Sequence, residues 1–600
     1  MERIGVLPLG DAALLFVWPE GGQTGPADIA ARVEHARRLP LPGVKEWVPA
    51  YRSAAVHLDL AALAPDGGSI ADALTRLAER LVPELEKAGA ASESAVARRI
   101  RLPATFGGAS GPDLEACAAR SGLSADRFVE EFARTEFKVA MMGFAPGFPY
   151  LSGLPDVLSQ PRHGTPRMRV PAGSVGIAGS QAGVYPAESP GGWQLIARTT
   201  ERLFRPESEE PFLLAPGDRV FFVPTVPAES GSGQTGPMPD EPDSESEKAA
   251  LYVSAPGMLT TVQDSGRFGW RARGVSAGGG MDSVSLRLAN ALAGNAEGAA
   301  VLEMTLLGPS FRLERDLLIA VCGAEFDARI DGEPFPSHRP VWARKGSVLT
   351  FGRAIRGCRG YLAVAGGIDV PAVLGSRGTD LRSGFGGYRG RALAAGDGLQ
   401  NGRPSPWSER LAGRLREQAD QEGKAWAAVP WRIRPGALAG VTEADGVRES
   451  GSGGRRVTLR VVPGAEGETF GDEAWRSFLT EDYRVEAASD RMGVRLAGPA
   501  LIRERSEELA SHGVAPGTVQ VPPDGKPIVL AADCQPTGGY PKIAHVIGAD
   551  LPLLAQCVPG DLVGFDLVGH DEAWHAWRRS ERELGTRMTG IRLKGEHGQT

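Results

Sequence analysis

The feature that most constrains this chain is a stretch rich in glycine and proline. It reads MMGFAPGFPYLSGLP at residues 141–155 and continues as VPAGSVGIAGSQAGVYPAESPGGW at 170–193. Glycine permits positive φ and close backbone approach, whereas proline fixes φ and removes a hydrogen-bond donor, so this stretch cannot be a helix. Their alternation with Val, Ile, Phe and Tyr predicts short strands joined by rigid turns. Such turns are frequent locations of binding sites.

The composition favours a β-rich protein of several domains. The 600 residues include 80 Gly and 46 Pro, and a glycine content nearly twice the average favours many turns. This length suggests roughly three to five domains. The net charge of −7 gives no basic footprint for nucleic acid, and no apolar run approaches the roughly 18 residues of a membrane span. We therefore expect no nucleic acid and no membrane among the partners.

Cysteine usage and the first residues predict a cytoplasmic protein. The five cysteines are scattered and form no CxxC pair. An odd number at wide spacing fits a reducing compartment better than a disulfide framework. Residues 1–3 lead directly into a strand-like run, which is not the pattern of a signal peptide.

Changes in composition divide the chain into successive units. The first 95 residues follow a β-α-β-β-α order, which predicts a small ferredoxin-like α+β domain. Residues 227–249 are acidic and rich in Pro, Ser and Gly, which is typical of a flexible linker. The predicted units are an α+β domain at 1–95, a β-barrel at 96–226, the linker at 227–249, a β-rich part at 250–400, a low-complexity insertion with a short helix near 408–420 at 401–455, a second barrel at 456–570 and a charged tail at 571–600.

Two parts of the chain resemble each other at similar spacing. VPAGSVGI at 170–177 matches VAPGTVQV at 514–521, and APGDRVFF at 215–222 matches VPGDLVGF at 558–565. The two matched segments lie almost equally far apart in both copies, which predicts that one β-barrel unit is used twice. Large clefts form where related copies face each other, so we expect the site there.

Standard nucleotide-binding and metalloprotease motifs are absent from the sequence. There is no GxxxxGK[ST] loop, no GxGxxG after a strand and no HExxH. The nine histidines do not pair at metal-ligand spacing, so we expect no catalytic metal site. The turn Gly278–Gly280 precedes a helix predicted to start near Asp282, and a helix N-terminus can offer free N–H groups to an anion. A simple tight turn explains the same pattern equally well.

The remaining candidates are polar residues held in Gly/Pro turns. Arginine supplies a fork for carboxylate or phosphate, and a buried Asp or Glu can act as acid or base. For each residue alone, a surface salt bridge or a turn-stabilising bond is the commoner role. The concentration of these residues in rigid loops favours a functional role for the group as a whole. The candidates are Arg167, Arg169, Gln181, Tyr185, Glu188, Ser189, Gly192, Gln263, Asp264, Arg267, Gly279, Gly280, Asp282, Arg491, Asp533, Gln535, Gly539, Tyr540 and Lys542.

Long motifs in both halves resemble one known family. In the first half, GDAALLFV (10–17), GFAPGFPYLSGLP and the 170–193 segment are similar to the B subunit of 5-oxoprolinase, also described as allophanate hydrolase subunit 1 or as sporulation-kinase inhibitor proteins. In the second half, GMLTTVQDSGRFGW, GYLAVAGGIDVPAVLGSRGTD (360–380) and the 513–544 segment resemble the C subunit, the allophanate hydrolase subunit 2 type. The same pair of modules forms the carboxyltransferase region of urea carboxylase. The resemblance implies a B–C fusion of mostly β, α+β class, with two cyclophilin-like barrels.

The resemblance also implies an activity and its partners. It implies an ATP-dependent 5-oxoprolinase, using ATP with magnesium, that opens 5-oxoproline to glutamate with a separate LamB/YcsF-type A subunit. On this hypothesis Arg167, Arg169 and the Gly278–Gly280 turn hold anions, and Glu188, Asp264 or Asp533 handles protons. Homo-oligomer formation is left open.

Two alternatives share the same modules. The first is a carboxyltransferase that accepts carboxybiotin from another protein, since no Met-Lys-Met biotinylation site is present and biotin is therefore not attached to this chain. The second is a protein that binds and inhibits a histidine kinase without turnover.

Overall fold

The computed structural model describes residues 3–19, 22, 24–87, 98–226, 249–433, 447–449, 454–504 and 509–597. The linker predicted at 227–249 lies outside these residues except at its last position. Part of the insertion predicted at 401–455, residues 434–446 and 450–453, also lies outside them.

The N-terminal unit is an antiparallel four-stranded sheet with helices on one face. Side chains alternate between the faces of a strand, so Ala54 and Val56 pack toward the helices while Ala55 lies on the opposite face. The predicted α+β domain is confirmed, and the structure adds a first strand that the sequence interpretation did not include. The elements are β1 Gly5–Pro8, β2 Ala13–Val17, α1 Pro26–Arg37, β3 Val44–Pro49, β4 Ser53–Leu58, α2 Leu60–Leu63 and α3 Ile70–Lys87.

The second unit is a closed barrel of seven strands. Its elements are β5 Arg99–Phe106, α4 Leu114–Arg120, α5 Ala125–Arg134, β6 Phe137–Met142, β7 Pro149–Ser152, β8 Arg167–Val170, β9 Ser174–Ala178, β10 Gln181–Val184, β11 Ser189–Gly191, β12 Gln194–Arg198 and β13 Arg219–Pro224. The strand order around the barrel is β5-β12-β9-β10-β7-β6-β13, and β13 closes the ring by parallel pairing with β5. Strands β8 and β11 form a separate hairpin.

The third unit is an eleven-stranded sheet built around two long antiparallel strands, β18 and β21. The helix predicted near 408–420 is present as α7, and its apolar residues Leu411, Leu415 and Ala419 are buried. The elements are β14 Leu251–Ala255, β15 Leu259–Gln263, α6 Ser283–Ala293, β16 Val301–Thr305, β17 Ser310–Leu313, β18 Leu317–Ile330, β19 Glu333–Pro334, β20 Pro340–Ala343, β21 Val348–Val364, β22 Ile368–Asp369, β23 Gly398–Asn401, α7 Pro406–Glu422 and β24 Trp426–Ala428.

The fourth unit is a second barrel, followed by a long helix. Its ring has the order β26-β33-β30-β31-β28-β27-β34, and β34 pairs in parallel with β26. The elements are β25 Val447–Glu449, β26 Arg455–Pro463, α8 Asp472–Thr480, β27 Tyr483–Val485, β28 Gly493–Ala497, β29 His512–Gly513, β30 Thr518–Gln520, β31 Ile528–Leu530, β32 Thr537–Gly538, β33 Lys542–Val546, α9 Leu551–Ala555, β34 Leu562–Leu567 and α10 His570–His597.

The two barrels share one topology, which confirms the predicted repeat. Every strand of the first ring has a counterpart at the same place in the second, and both rings close through a parallel pair. The matched segments fall at equivalent strands, β9 with β30 and β13 with β34. Gly173 and Gly517 precede β9 and β30 with φ of 81° and 99°, a conformation that glycine adopts without strain.

The N-terminal domain packs against the second barrel. Gly513 of β29 lies directly against Ala55 of β4, and Gly548 N donates a hydrogen bond to Asp11 Oδ2 at 2.7 Å. Trp574 of α10 is buried in the core of the N-terminal domain. The N-terminal domain therefore contacts both the second barrel and the C-terminal helix.

Candidate active site

The two halves meet along the glycine- and proline-rich loop that follows β6. Gly147 N in this loop donates to Arg273 O at 3.0 Å. Gly274 lies so close to the same loop that a Cβ atom there would be 2.2 Å from Ala145 O. The loop at 143–148, within the glycine- and proline-rich stretch, therefore contacts the second half directly.

Aromatic rings extend this contact. Phe204 meets Phe385 edge-on with centroids 5.1 Å apart, and Phe212 stacks on Trp270 at 5.7 Å. Each pair joins one residue of the first half to one of the second. Such pairs add to the energy of burial, so the junction is held by apolar contact as well as by backbone hydrogen bonds.

A buried polar network centred on Arg491 lies behind the junction. Arg491 Nε and Nη2 donate to the two oxygens of Asp533 at 2.8 and 2.9 Å, Nη1 donates to Glu303, and Nη2 also donates to Gly279 O at 2.6 Å. Tyr361 OH donates to Glu303 Oε2 at 2.8 Å. One guanidinium therefore joins two carboxylates and the glycine turn, as the fork geometry of arginine allows.

The two carboxylates of this network differ in their proton affinity. Burial raises the pKa of Asp533, and the charge of Arg491 only partly opposes that effect. Burial alone would also raise the pKa of Glu303, but Arg491 and Arg359 together hold it below its ordinary value. Pairs of carboxylic acids whose pKa values are shifted in opposite directions are typical of sites that transfer protons.

Arg267 lies beside this network with part of its hydrogen-bonding capacity unused. It is 1% exposed, its Nη2 donates to Gly378 O, and its guanidinium lies 4.7 Å from the centroid of the Phe385 ring. Its Nε has no partner among the described residues, and neither does Gln263 Oε1 nearby in the sequence. Buried polar groups are nearly always paired, so the hydrogen bonding of these two atoms is incomplete within the described structure.

The glycine at position 278 leaves space between the groups of the site. A Cβ atom there would lie 3.5 Å from Arg267 Nη1 and 3.7 Å from Asp533 Oδ1. A cation and a carboxylate thus border the same small space at Gly278.

Asp264 holds a loop of the site in place. Its Oδ1 accepts from Gly266 N at 2.8 Å and from Ser376 Oγ at 2.6 Å, and its Oδ2 accepts from Arg377 N at 2.6 Å. These bonds fix the segment that places Gly378 O against Arg267. The geometry therefore gives Asp264 a positioning contact to the loop.

The glycine turn differs from the sequence expectation of free N–H groups. Gly278 N donates to Ala532 O at 3.2 Å and Gly280 N donates to Asp264 O at 3.0 Å. Asp282 caps α6, because its Oδ1 accepts from Ser285 N at 2.9 Å. The donors at these positions are engaged by the protein itself, since the turn packs inside the network instead of opening to solvent.

Arg382 is a second cation at the junction, and it was not among the residues predicted from the sequence. The Arg382 guanidinium lies 5.0 Å from the centroid of the Phe144 ring, and Phe144 has a φ of 63°. Tyr150 lies on β7, directly after this loop, and its ring centroid is 4.9 Å from that of Phe148. The sequence did contain a signal, because Phe144 and Tyr150 lie inside the glycine- and proline-rich stretch at 141–155. Aromatic residues in such a stretch, however, have the same pattern as residues of a barrel core.

The predicted residues of the first barrel lie outside the network around Arg491. Tyr185 is buried, and burial raises its pKa to about 12. Arg167 Nη2 donates to Asp113 Oδ1 at 2.7 Å, and Leu195 N donates to the other oxygen of that carboxylate. Arg169 and Glu188 form an exposed ion pair at 2.7 Å. Gln181, Ser189 and Gly192 are partly buried.

Lys542 belongs to a separate buried cluster in the second barrel. Its Nζ donates to Gly538 O at 2.9 Å and lies 2.7 Å from His512 Nε2, which in turn lies 2.6 Å from Glu466 Oε1. Burial lowers the pKa of Lys542 to about 8. Of the other predicted residues here, Gln535 is partly buried, and Gly539 and Tyr540 are exposed.

The structure therefore brings some predicted residues together and keeps others apart. Those gathered around Arg491 are Gln263, Asp264, Arg267, Gly279, Gly280, Asp282 and Asp533. Among the described residues, no group of three His, Cys, Asp or Glu side chains is placed to hold a metal ion. No helix in the described part of the chain has the length and apolar character needed to cross a membrane.

Comparison with known proteins covers both halves. A family model described as carboxyltransferase domain, subdomain A and B, matches residues 273–567, and one for subdomain C and D matches residues 4–214. The C subunit of 5-oxoprolinase from Escherichia coli (strain K12) is 39% identical over 332 residues, 55% of this chain and 96% of the relative. The B subunit of 5-oxoprolinase from Escherichia coli O157:H7 is 44% identical over 194 residues, 31% of this chain and 81% of the relative.

One solved structure matches almost the whole chain. The crystal structure of TTHA0988 superposes with a TM-score of 0.72 at 34% identity, over 92% of this chain and 99% of that one. The order of modules is thus shared with a single-chain protein of known structure. The chain belongs to the carboxyltransferase-domain family that includes the B and C subunits of 5-oxoprolinase, and it joins both types in one polypeptide.

Proposed function

We propose that the chain is the B–C component of an ATP-dependent 5-oxoprolinase, which converts 5-oxoproline to glutamate with a separate LamB/YcsF-type A subunit. The observation that carries the proposal is the presence of regions similar to the B and C subunits in one polypeptide. The buried arginine–carboxylate network behind their junction supports it, because activation of an amide calls for an anion site next to a proton acceptor.

Hydrolysis of the lactam requires that its amide group is activated first. A lactam is a resonance-stabilised amide with a poor leaving group. ATP, when bound, would supply the phosphoryl group that activates the lactam oxygen. The fit for a phosphate rests on Arg267, whose buried Nε lacks a partner among the described residues, and on the space that Gly278 leaves beside its Nη1. Arginine is well suited to such an oxyanion.

Asp533 is the proposed proton acceptor of the site. Its pKa is raised by burial, and Arg491 holds both carboxylate oxygens in one orientation. The carboxylate borders the space in front of Arg267, where it can take a proton from attacking water. Asp264 would act through the loop that it fixes, while Glu188, Arg167 and Arg169 remain candidates for contacts outside this network.

The test is reconstitution with purified components. The chain, its LamB/YcsF-type partner, ATP with magnesium and 5-oxoproline are mixed, and glutamate and ADP are measured. We expect glutamate that depends on every component. The B and C subunits of 5-oxoprolinase from Escherichia coli, mixed with the same partner, establish that the partner is active. Absence of glutamate with an active partner would refute the proposal.

Paired variants connect the activity to the network. Asp533→Asn keeps the shape of the side chain and removes its basicity, so we expect kcat to fall by at least about a hundredfold, in the range of lost general-base catalysis. Asp524, on the same barrel, is exposed, and Asp524→Asn should leave kcat unchanged. Equal activity of both variants would remove Asp533 from the reaction.

Carboxyl transfer is the second candidate, because the matching family models are described as carboxyltransferase domains. If the chain transfers a carboxyl group from carboxybiotin, it should carboxylate a urea-like acceptor without LamB/YcsF-type protein. Free carboxybiotin and urea, with carbon-14 label in the carboxyl group, test this directly.

A further inference from the structure

We propose that Arg382 and Tyr150 bind the carboxylate of the substrate, so that each half of the chain supplies one group to a single carboxylate-binding site. The inference deepens the proposed function and rests on it for the identity of the ligand, a small lactam acid. The arrangement of Arg382 and Tyr150 at the junction of the two halves does not depend on the identity of the ligand.

Arg382 is a cation without a hydrogen-bonded partner among the described residues. It is partly buried, and within that part of the chain it forms neither a hydrogen bond nor an ion pair, its close contact being the face of Phe144. Its nitrogen atoms are not among those sealed from solvent without a partner, so they face an accessible space. Asp380 is the acidic group whose charge acts on it. A guanidinium with five donors in this setting calls for an anionic ligand.

Phe144 is held in a strained conformation beneath that guanidinium. Its φ of 63° lies in the left-handed region, which costs a bulky residue free energy. Ala145 N donates to Gly143 O at 2.6 Å and Gly147 N donates to Arg273 O at 3.0 Å, so contacts from both halves enforce the turn. Strain of this kind concentrates at ligand-binding loops, and here its effect is to put an aromatic face under Arg382.

Tyr150, on the strand that follows this turn, supplies a hydrogen-bond donor. Burial raises the pKa of its phenol to about 12, while the charges of Arg162 and Arg382 oppose the shift. The phenol therefore keeps its proton at neutral pH, and among the described residues its oxygen has no hydrogen-bond partner. The phenol and the guanidinium border the same aromatic cluster of Phe144, Phe148 and Tyr150, and together they offer a suitable pair of donors for a carboxylate.

The second barrel closes the same space. A Cβ atom at Gly143 would lie 3.2 Å from Thr537 Oγ1 and 3.6 Å from Tyr150 Cε2. The loop after β6, the segment that carries Arg382 and strand β32 therefore converge. Three structural units therefore border the site.

The surroundings favour a monocarboxylate over a triphosphate. The floor is aromatic, since Phe144, Phe148 and Tyr150 pack together. Among the described residues, the charges that act on Tyr150 come from Arg162 and Arg382, and Asp380 offsets part of the charge of Arg382. A small ring with one carboxylate suits an apolar floor with about one net positive charge, whereas a triphosphate needs more cations and backbone donors.

The test compares two lactams that differ only in the carboxylate. Isothermal titration calorimetry measures binding of 5-oxoproline and of 2-pyrrolidinone to the full chain, alone and with the LamB/YcsF-type partner. We expect Arg382→Gln to weaken 5-oxoproline binding about tenfold to a hundredfold, as for loss of a charged hydrogen bond, and to leave 2-pyrrolidinone binding unchanged. Tyr150→Phe, which keeps the ring, should weaken it about threefold to tenfold.

Steady-state kinetics of the reconstituted complex distinguish binding from chemistry. Arg382→Gln should raise the KM for 5-oxoproline with kcat and the KM for ATP nearly unchanged, and Arg382→Lys should recover part of the loss. Arg403 is exposed, and Arg403→Gln is the matched control.

Three results would overturn the carboxylate site. They are 5-oxoproline binding that is insensitive to both variants, a rise in the KM for ATP alone, which would indicate a phosphate site, and no binding of 5-oxoproline to the wild-type chain with or without partner. A complex that binds 5-oxoproline through Arg382 but forms no glutamate would refute the proposed function and leave the carboxylate site standing.

Discussion

Asp571 near the start of α10 caps the helix that begins at Ile70, across 501 residues of sequence. Its Oδ1 accepts hydrogen bonds from Ile70 N at 2.8 Å and from Ala71 N at 3.2 Å, and Ser69 Oγ also donates to the carboxylate. A carboxylate at this place satisfies N–H groups that a helix leaves free and complements the helix dipole. The cap therefore joins α10 to the N-terminal domain.

Removing this cap should loosen the N-terminal domain. We expect Asp571→Ala to lower the free energy of unfolding by about 1–2 kcal/mol and Asp571→Asn to lower it less, since the amide oxygen still accepts. Hydrogen exchange at the first turn of α3 and the thermal unfolding midpoint report the change. The neighbouring Glu572 is exposed, so Glu572→Ala is the control, and equal shifts for both alanine variants would contradict the capping role.

Substitution of Gly274 and of Gly269 distinguishes the effect of backbone strain from the effect of a steric clash at the junction. Gly274 and Gly269 have φ of 82° and 88°, so alanine costs about 1 kcal/mol at either position through backbone strain. A Cβ atom at 274 would also lie 2.2 Å from Ala145 O, whereas none of the described structure lies within 4 Å of one at 269. We expect Gly274→Ala to displace the loop after β6 and reduce turnover strongly.

The comparison with Gly269→Ala makes this prediction specific. That variant should be slightly less stable and fully active. Glutamate formation by the reconstituted complex and the unfolding midpoint are measured for both. If the two variants lose activity equally, the close approach of Gly274 to Ala145 is not what couples the halves to the reaction.

The network around Arg491 makes a larger prediction for stability. Arg491 is 4% exposed and is paired with both Asp533 and Glu303. Arg491→Met would leave two buried carboxylates without their cation, which costs about 3–5 kcal/mol. Arg495 on β28 is exposed, and Arg495→Met should change stability by less than about 0.5 kcal/mol. Urea unfolding at neutral pH measures both, and similar midpoints would contradict the network's role.

The sequence was sufficient for the family, the fold class and the repeat. Turn glycines such as Gly173 and Gly517 have a local conformational requirement, so their spacing marked equivalent strands in both barrels. Short-range signals of this kind survive in a single sequence. The acid Asp282 shows the limit of the same approach, because a cap and a ligand-binding carboxylate have the same local pattern.

The arrangement of the site depended on contacts that sequence spacing does not encode. Arg491 meets Glu303 across 188 residues, and Arg382 meets Phe144 across the two halves. Arg169 and Glu188 looked equivalent to these residues in the sequence, yet they pair with each other on the surface. Only the packing of the halves decides which polar residues of the glycine-rich loops become buried together.

The Glu466–His512–Lys542 cluster predicts a dependence of stability on acid pH. Burial would raise the pKa of Glu466, but His512 and Lys542 hold it at about 2, below the ordinary 4.5. A carboxyl group whose pKa is lower in the folded state contributes stability that is complete above pH 4.5 and is lost as the pH falls toward 2. We expect the free energy of unfolding of the wild-type chain to fall through this window.

Glu466→Gln removes the titrating group, so its stability relative to the wild type should differ between neutral pH and acid pH. The variant should be less stable than the wild type at pH 6, because Lys542 and His512 lose their anionic partner. Its stability should also decline less between pH 4.5 and 2, so the two curves converge in acid. Urea unfolding at a series of pH values measures this, with Glu468→Gln at a nearby exposed position as the control. Curves that stay parallel down to pH 2 would mean that Glu466 is not held as a carboxylate by its two neighbours.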